Sequence, residues 1–269
     1  MKKKVTHYFY LYIVLLLSIV SSPNVLAETM ASGNSTPADP VMALPVAQIC
    51  AGTPWPDIVW IHVHDNEETA RQTAVQTLSQ IQQGCLLDLR HDGSREISIQ
   101  NNQANYHFDP NRIFTPRGRQ SSLKCRDGNC DVAAEQLSQA AKHFLNQYLM
   151  HARLIVAVHN NHPNGLSVHN YKAGGSMAQA MNKIAISPNS DAHDFFYVTT
   201  QQAFDFLASR NFNVVLQNNQ QVQDDGSLSV WASQQQIDYI NVEARIRHTA
   251  TQLAMLSAVW AYMQQYYQV

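Results

Sequence analysis

An apolar run, Ile58-Val59-Trp60-Ile61, leads after two residues into the polar stretch His64-Asp65-Asn66-Glu67. The run has the length and side chains of a buried β-strand, and a segment with helical spacing begins at about Glu67. A His and a Glu three residues apart can converge on one zinc ion at such a turn, because zinc accepts imidazole nitrogen and carboxylate oxygen. Open α/β sheets place their ligands at the carboxyl ends of strands. The stretch therefore predicts half of a zinc site.

A third zinc ligand has to come from another part of the chain, and His159 is the best candidate. It ends a second buried-strand pattern, Leu154-Ile155-Val156-Ala157-Val158, and a turn-like segment follows it at residues 160–165. Two His and one Glu leave one coordination position open for water, which is typical of a catalytic zinc. His62 is an alternative to His64 on the same strand face. We favour His64 because only His64 has a Glu three residues later.

Two further stretches carry side chains that suit amide hydrolysis. They are Asp109-Pro110-Asn111-Arg112-Ile113-Phe114 and Tyr239-Ile240-Asn241-Val242-Glu243. Arg112 can bind a carboxylate through two hydrogen bonds of its planar guanidinium, and Asn111 can add a neutral one. Glu243 can take a proton from a water molecule. Simpler interpretations remain open: Asn111-Arg112 as a turn with a surface ion pair, and Glu243 as a carboxylate at the start of the last helix.

The order of these motifs resembles that of the zinc carboxypeptidase superfamily, which includes succinylglutamate desuccinylase and aspartoacylase. The resemblance extends over roughly residues 58–250 and is carried by the motifs alone. It implies that His64, Glu67 and His159 hold one zinc ion. It also implies that Asn111 and Arg112 bind the carboxylate of the substrate, and that Glu243 is the general base.

The chain departs from that pattern in two places. The acylase branch has an additional Arg a few residues before its Asn-Arg pair, whereas residues 101–108 contain none. Four other arginines could take its role: Arg90, Arg95, Arg117 and Arg119. Many peptidases of the superfamily also place a Tyr over the substrate, and three tyrosines compete for that position: Tyr171, Tyr197 and Tyr239.

Hydrophobic periodicity predicts short buried strands that alternate with amphipathic helices. The strands are predicted at residues 58–62, 85–89, 96–100, 154–158, 195–199, 213–216 and 239–242, and the helices at about 67–82, 132–150, 201–209 and 244–267. The stretch Arg90-His91-Asp92-Gly93-Ser94 is predicted as a hairpin turn, because Asp-Gly tolerates positive φ. We therefore expect an α/β fold with a three-layer arrangement, in which helices flank a mixed twisted sheet of zinc carboxypeptidase-like type.

The amino-terminal residues have the features of a secretory signal peptide at 1–27. Three lysines precede an apolar stretch from Tyr8 to Val20, and Val25-Leu26-Ala27 suits a signal peptidase. A linker is predicted at 28–48 and a single catalytic domain at 49–269. Removing the three lysines leaves 15 basic against 20 acidic side chains, a formal charge of about −5. This balance argues against nucleic acid or an anionic membrane as the main partner, and no membrane span is expected after cleavage.

The chain has four cysteines, and all of them lie after the predicted signal peptide. An even number of cysteines in an exported protein indicates two disulfide bonds. Cys125 and Cys130 flank a turn sequence that can bring them together, which leaves Cys50 to pair with Cys85. A metal site built from cysteine is less favoured because the sequence contains no CxxC pair.

These observations together predict a secreted, periplasmic zinc metallopeptidase that hydrolyses an amide bond near a free carboxylate. Peptidoglycan is the obvious source of short, carboxylate-rich peptides in a bacterial envelope, so we expect a stem-peptide carboxypeptidase or amidase with one zinc per chain. Two alternatives stay open. One is an N-acyl amino acid deacylase, and the other is a non-catalytic envelope protein that binds peptides.

Overall fold

The structure, a computed structural model, describes residues 43–100 and 102–269. The signal peptide predicted at 1–27 and most of the linker predicted at 28–48 lie outside this part of the chain. The first described strand includes the last three residues of the predicted linker.

Strands and helices alternate along most of the described chain. The strands are β1 Val46–Cys50, β2 Ile58–His62, β3 Cys85–Leu89, β4 Ile97–Gln100, β5 Ala104–Phe108, β6 Lys124–Gly128, β7 Leu154–Asn161, β8 Met181–Ala185, β9 Phe195–Val198, β10 Asn213–Gln217 and β11 Asp238–Arg245. The α-helices are α1 Glu68–Ile81, α2 Pro116–Ser122, α3 Cys130–Phe144, α4 Gln201–Ala208, α5 Leu228–Gln234 and α6 Thr249–Tyr266. A π-helical turn, Leu145–Leu149, extends α3.

The main sheet has eight strands in the order β1-β3-β2-β7-β11-β9-β10-β8. Its centre is parallel, since β3, β2, β7 and β11 run in the same direction. Both edge strands are antiparallel to their neighbours, and β9 is antiparallel to β11. The sheet is therefore mixed, as predicted, and the carboxyl ends of β2, β7 and β11 meet at one edge.

The residues of β7 show how the sheet fills two core layers. Leu154, Val156 and Val158 pack into the layer that contains α1, α4 and α6. Ile155 and Ala157 point to the opposite face, where they join α3, α5 and the small sheet of β4, β5 and β6. Because successive side chains of a strand alternate between faces, a continuous apolar run can serve both layers. The three-layer α/β fold class predicted from the sequence is confirmed.

The two disulfide bonds predicted from the sequence are present. Cys50 is bonded to Cys85 and so joins β1 to β3, and Cys125 is bonded to Cys130 and joins β6 to α3. Within the described residues, no helix is both long and apolar enough to cross a membrane.

Two predictions about secondary structure were wrong. Residues 90–94 do not form a hairpin between β3 and β4, because β1 and β2 already occupy both sides of β3 and β4 pairs instead with β5. The positive φ expected in this stretch does occur, at Gly93. The last helix begins at Thr249 and not at residue 244, because β11 continues to Arg245 alongside the long strand β7. The strands β1, β5, β6 and β8 were missed, since each is short and only partly buried.

Candidate functional site

Three neighbouring parallel strands bring the predicted metal ligands and the predicted base to one edge of the main sheet. His64 lies two residues after the end of β2, and His159 and Glu243 lie near the ends of β7 and β11. Glu243 is the direct partner of His159 in the β7–β11 pairing. Residues paired in this way point to the same face, so the carboxylate of Glu243 lies beside the imidazole of His159.

The three residues predicted as metal ligands converge on one point. The Nδ1 atoms of His64 and His159 are 3.2 Å apart. Nδ1 of His64 lies 3.0 Å from Oε1 of Glu67, and Nδ1 of His159 lies 2.9 Å from Oε2 of the same carboxylate. Zinc bonds of about 2.0–2.2 Å would place the ligand atoms of a tetrahedron roughly 3.3–3.6 Å apart. All three side chains are buried. Two imidazoles and one carboxylate, spaced this closely in a buried position, fit a zinc ion with little adjustment.

The orientation of His64 also suits a metal ligand. Its Nε2 lies 2.8 Å from Oδ1 of Asp109. An ionised carboxylate can only accept a hydrogen bond, so Nε2 carries a proton, and Nδ1, the ring nitrogen nearest Glu67 and His159, is the one that could bind a metal. Although burial alone would raise the pKa of Asp109, the nearby His64 and Arg95 bring it below its usual value. Asp109 thus fixes the tautomer of His64, as carboxylates commonly do beside metal-binding histidines.

Glu67 is held in place from several directions. Its Oε2 accepts a hydrogen bond from the main-chain nitrogen of Asn160 at 3.0 Å, and its Oε1 lies 2.9 Å from Nη1 of Arg95. Burial would raise the pKa of Glu67, but the two neighbouring histidines, His159 and His64, outweigh burial and hold it well below its usual value. Glu67 is therefore an ionised, buried carboxylate, and such a group is suited to binding a cation.

Glu243 has the opposite electrostatic character. Its Oε1 accepts a hydrogen bond from Nδ2 of Asn241 at 2.9 Å, and its side chain is buried. Burial, together with the charge of Glu67, raises the pKa of Glu243 above its usual value, although His159 acts in the other direction. A carboxylate with a raised pKa is a better proton acceptor near neutral pH than an ordinary one. The pKa of Glu67 is thus lowered and that of Glu243 is raised, as expected if Glu67 is a metal ligand and Glu243 is a base.

A cavity of about 680 Å³ joins these residues to the predicted substrate-binding pair. Asn111 and Arg112 line it together with His64, Glu67, His159 and Glu243. The main-chain nitrogen of Asn111 donates to Asp109, and its side-chain oxygen accepts from the main-chain nitrogen of Leu228 at 3.1 Å. The guanidinium of Arg112 lies 3.6 Å from Asp225 and is about one-third exposed. Arg112 therefore presents hydrogen-bond donors to the cavity.

The structure narrows the alternatives that the sequence left open for the additional arginine. Among the described residues, the arginines that line the cavity are Arg95 and Arg112. Arg90 instead contacts Asp65 and Glu68, and Arg119 donates to the carbonyl of Ile113 inside the fold. Arg117 is exposed and does not line the cavity.

The three candidate tyrosines all line the cavity: Tyr171, Tyr197 and Tyr239. Burial raises the pKa of each hydroxyl, so all three stay protonated and can donate a hydrogen bond. The hydroxyl of Tyr197 already donates to the carbonyl of Ala180 at 3.4 Å. The structure therefore does not select a single tyrosine for contact with a substrate.

His62, the alternative to His64 as a predicted ligand, does not belong to the converging group and has a supporting position. Its Nδ1 lies 2.8 Å from Oδ1 of Asp88, and its Nε2 lies 3.1 Å from the main-chain oxygen of Glu67. His62 therefore stabilises the turn that presents Glu67. The sequence analysis did not predict that Asp109 contacts His64 or that Asn160 contacts Glu67. Both residues nevertheless lie in stretches that it identified as carrying functional side chains.

A second group of potential metal ligands consists of Asp191, Asp194 and His248. Asp191 is paired with the guanidinium of Arg245 at 3.0 Å, and Asp194 accepts from the main-chain nitrogen of Arg245 and from Nδ1 of His248. These contacts connect the loop before β9 to the end of β11. The group is satisfied by the protein itself and serves to hold that edge of the sheet.

No protein-family model matches the chain, and no curated protein matches it in sequence. Comparison with solved structures finds remote likenesses. The ectoine utilization protein EutE (DoeB) of Ruegeria pomeroyi matches with 14% identity and a TM-score of 0.45, over 82% of this chain and 60% of that one. A succinylglutamate desuccinylase/aspartoacylase of Rhodobacter sphaeroides matches with 12% identity and a TM-score of 0.41, over 82% and 58%.

The murein-tripeptide amidase MpaA of Escherichia coli O157 matches with 10% identity and a TM-score of 0.41, over 78% of this chain and 82% of that one. The chain thus spans about 60% of the length of the first two structures.

Proposed function

We propose that the chain is an exported, zinc-dependent metallopeptidase that hydrolyses an amide bond near a free carboxylate. One observation carries the proposal: His64, Glu67 and His159 converge within hydrogen-bonding distance of one another, with Glu243 beside them on the adjacent strand. The same cavity contains Arg112, which offers donors to a carboxylate. Metal ligands, a base and an anion-binding arginine are the components that such a hydrolysis requires.

His64, Glu67 and His159 would hold the zinc ion, which supplies Lewis-acid polarisation of the substrate carbonyl. Glu243 takes a proton from the attacking water and then delivers it to the nitrogen of the leaving amine. Its raised pKa suits both steps, because the same group has to accept and release a proton near neutral pH. Arg112 binds the free carboxylate and so fixes which amide bond faces Glu243.

A peptide from peptidoglycan is the substrate that we infer. The signal peptide predicted at 1–27 and the two disulfide bonds both favour an oxidising compartment outside the cytoplasm. Stem peptides of peptidoglycan are short, carry free carboxylates, and are small enough for a cavity of about 680 Å³. Removal of a terminal residue and cleavage beside diaminopimelate both agree with this arrangement.

The proposal is tested by incubating purified muropeptides with the mature, zinc-loaded protein and following the products by mass spectrometry. We expect the loss of a mass that corresponds to one amino acid or a short peptide, and the mass identifies the bond. A protein that binds one zinc per chain but leaves every muropeptide intact would overturn the peptidoglycan assignment. Hydrolysis of N-acyl amino acids under the same conditions would favour a deacylase instead. Binding of muropeptides without hydrolysis would indicate a non-catalytic protein.

A further inference from the structure

We propose that Asn160 is a positioning residue that caps helix α1 in place of Glu67, and so leaves the carboxylate of Glu67 free to bind the metal. Gln252, from helix α6, holds Asn160 in that position. The assignment rests on the proposed function, because it concerns how Glu67 and His159 are kept together at one point. It adds two residues that act through these two ligands.

The first turn of α1 is not capped by its own N-cap residue. Glu67 stands at the N-cap position, but in the described part of the chain its side chain accepts no hydrogen bond from this turn. An N-cap side chain normally accepts from the amide two or three residues later. The carboxylate of Glu67 instead lies beside the imidazoles of His64 and His159. The cap therefore has to come from another element of the fold.

Asn160 supplies this cap from strand β7. Its Oδ1 accepts a hydrogen bond from the main-chain nitrogen of Ala70, the third residue of α1, at 2.7 Å. The same nitrogen also lies 3.1 Å from the main-chain oxygen of Glu67, so its proton is shared. In return, the main-chain nitrogen of Asn160 donates to Oε2 of Glu67 at 3.0 Å. The two residues thus exchange hydrogen bonds as in a capping box, but between a strand and a helix.

The alternation of side chains along β7 explains how one strand supplies both a ligand and a cap. His159 stands two residues after Ala157 and shares its face of the sheet. Asn160 stands two residues after Val158 and shares the opposite face, toward α1 and α6. The ligand and the capping residue are therefore adjacent in sequence and point to opposite layers. A shift of β7 relative to α1 would displace both.

Gln252 holds the side chain of Asn160 from the side of α6. Its Oε1 accepts from Nδ2 of Asn160 at 3.1 Å, and its Nε2 donates to the main-chain oxygen of His159 at 3.0 Å. Nδ2 of Asn160 also lies 3.3 Å from the main-chain oxygen of Ala244. Gln252 is fully buried, and a buried amide without partners is costly. The amide of Asn160 is therefore fixed with its Oδ1 toward α1.

These contacts matter for the metal because they remove a competitor for the carboxylate of Glu67. Without Asn160, the first turn of α1 would offer a free amide to the side chain of its own N-cap residue, which is Glu67. A carboxylate drawn to that amide would move away from the two histidines. Asn160 satisfies the amide itself and also holds Oε2 of Glu67 through its main-chain nitrogen. The ligands are thus kept in place before a metal binds.

The test compares Asn160→Ala with Asn129→Ala. Asn129 caps α3 through the amides of Asp131 and Val132, and it does not line the cavity. Both substitutions remove an asparagine cap, so each should raise the unfolding equilibrium constant of the metal-free protein by at least about fivefold. Asn160→Ala alone should also weaken zinc affinity, by about 10- to 100-fold in a competition titration. Unchanged zinc affinity in Asn160→Ala, or an equal loss in Asn129→Ala, would overturn the positioning role.

Hydrogen exchange of the metal-free protein tests the cap by itself. Asn160→Ala should speed exchange at the amide of residue 70 by about fivefold, because this amide loses its shorter hydrogen bond. Asn160→Asp keeps an acceptor oxygen and should leave that exchange near the wild-type rate. An unchanged rate in Asn160→Ala, or the same increase in Asn160→Asp, would contradict the cap.

The role of Gln252 is tested by Gln252→Met, which keeps the length of the side chain and removes both of its hydrogen bonds. This substitution should weaken zinc affinity by about tenfold in the wild type. In an Asn160→Ala background its effect should be much smaller, because residues of one hydrogen-bonded unit are not additive. Equal losses in the two backgrounds would reject the coupling between Gln252 and Asn160.

None of these measurements needs turnover, so the positioning role and the proposed function can fail separately. A wild type that binds zinc but hydrolyses no muropeptide would reject the proposed function, and loss of zinc affinity in Asn160→Ala would still support the positioning role. Zinc affinity and hydrolysis that both survive in Asn160→Ala would reject the positioning role alone. A wild type without zinc affinity would overturn both.

Discussion

Replacing Glu243 by Gln should remove most of the proposed hydrolytic activity and leave the proposed zinc site intact. Gln has the shape of Glu but cannot accept a proton from water. Glu243 accepts a hydrogen bond from Nδ2 of Asn241 at 2.9 Å, and the side-chain oxygen of Gln can accept the same bond. It is not one of the three converging ligands. The substitution therefore changes the chemistry of the base with little change in packing.

The size of the effect follows from the role of Glu243 in proton transfer. A positioned general base contributes about 10²–10⁴-fold to a rate, and Glu243 is proposed to act both on the water and on the leaving amine. We therefore expect kcat to fall by at least about 1000-fold while KM changes little. The base does not bind the free carboxylate of the substrate, since that contact is assigned to Arg112.

The assay measures muropeptide hydrolysis by mass spectrometry and zinc content by atomic emission on the same samples. Glu135→Gln is the matched control, because Glu135 is exposed on α3 and lies outside the cavity. It should keep full activity. Glu243→Gln that retains more than about one-tenth of wild-type kcat would refute the assignment of Glu243 as the base. Loss of zinc from the variant would show that Glu243 supports the metal instead.

Three further predictions follow from the same contacts. Arg112→Ala should raise KM by at least tenfold for substrates with a free carboxylate and leave KM for their amidated analogues unchanged in steady-state kinetics; an equal loss on both would contradict its anchoring role. Asp109→Ala should weaken zinc affinity by about 10- to 100-fold in a competition titration, because the tautomer of His64 is no longer fixed; unchanged affinity would show that Asp109 has no such role. In the zinc-free protein, burial raises the pKa of Glu243 in the folded state above 4.5, its value in the unfolded chain. The protonated side chain of Glu243 therefore favours the folded state at low pH, and this contribution to the free energy of unfolding is lost as the pH rises through the raised pKa. Urea denaturation should therefore show Glu243→Gln gaining stability relative to the wild type as pH increases from 4 to 8, and a constant difference would contradict this.

The sequence predicts the centre of the fold well because local pattern and global packing agree there. The runs at β2, β7 and β11 are short, apolar and followed by polar residues, so both their strand character and the position of their carboxyl ends can be inferred. This is why the sequence predicts that His64, His159 and Glu243 lie at the carboxyl ends of strands. The pairing of Glu243 with His159 depends on strand order, which periodicity does not reveal.

The loop between β3 and β4 shows where sequence reasoning fails. Its Asp-Gly pair suggests a hairpin, and Gly93 does adopt positive φ. Whether two strands pair depends, however, on which neighbours already occupy their edges, and that is a long-range property. The same limit applies to two contacts of this loop: Arg95 lines the cavity, and the main-chain nitrogens of His91 and Gly93 donate to Asp65. No spacing in the sequence shows such a contact.

Metal analysis of the mature protein tests whether His64, Glu67 and His159 together hold a zinc ion. Zinc measured by atomic emission after dialysis should be about one per chain in the wild type and in Glu243→Gln. It should fall below about one-tenth in His159→Ala, with circular dichroism showing that the variant remains folded. X-ray absorption of the wild type should show only nitrogen and oxygen ligands. A folded wild type without zinc affinity, or full zinc retention in His159→Ala, would show that these three residues are not the ligands of a zinc ion.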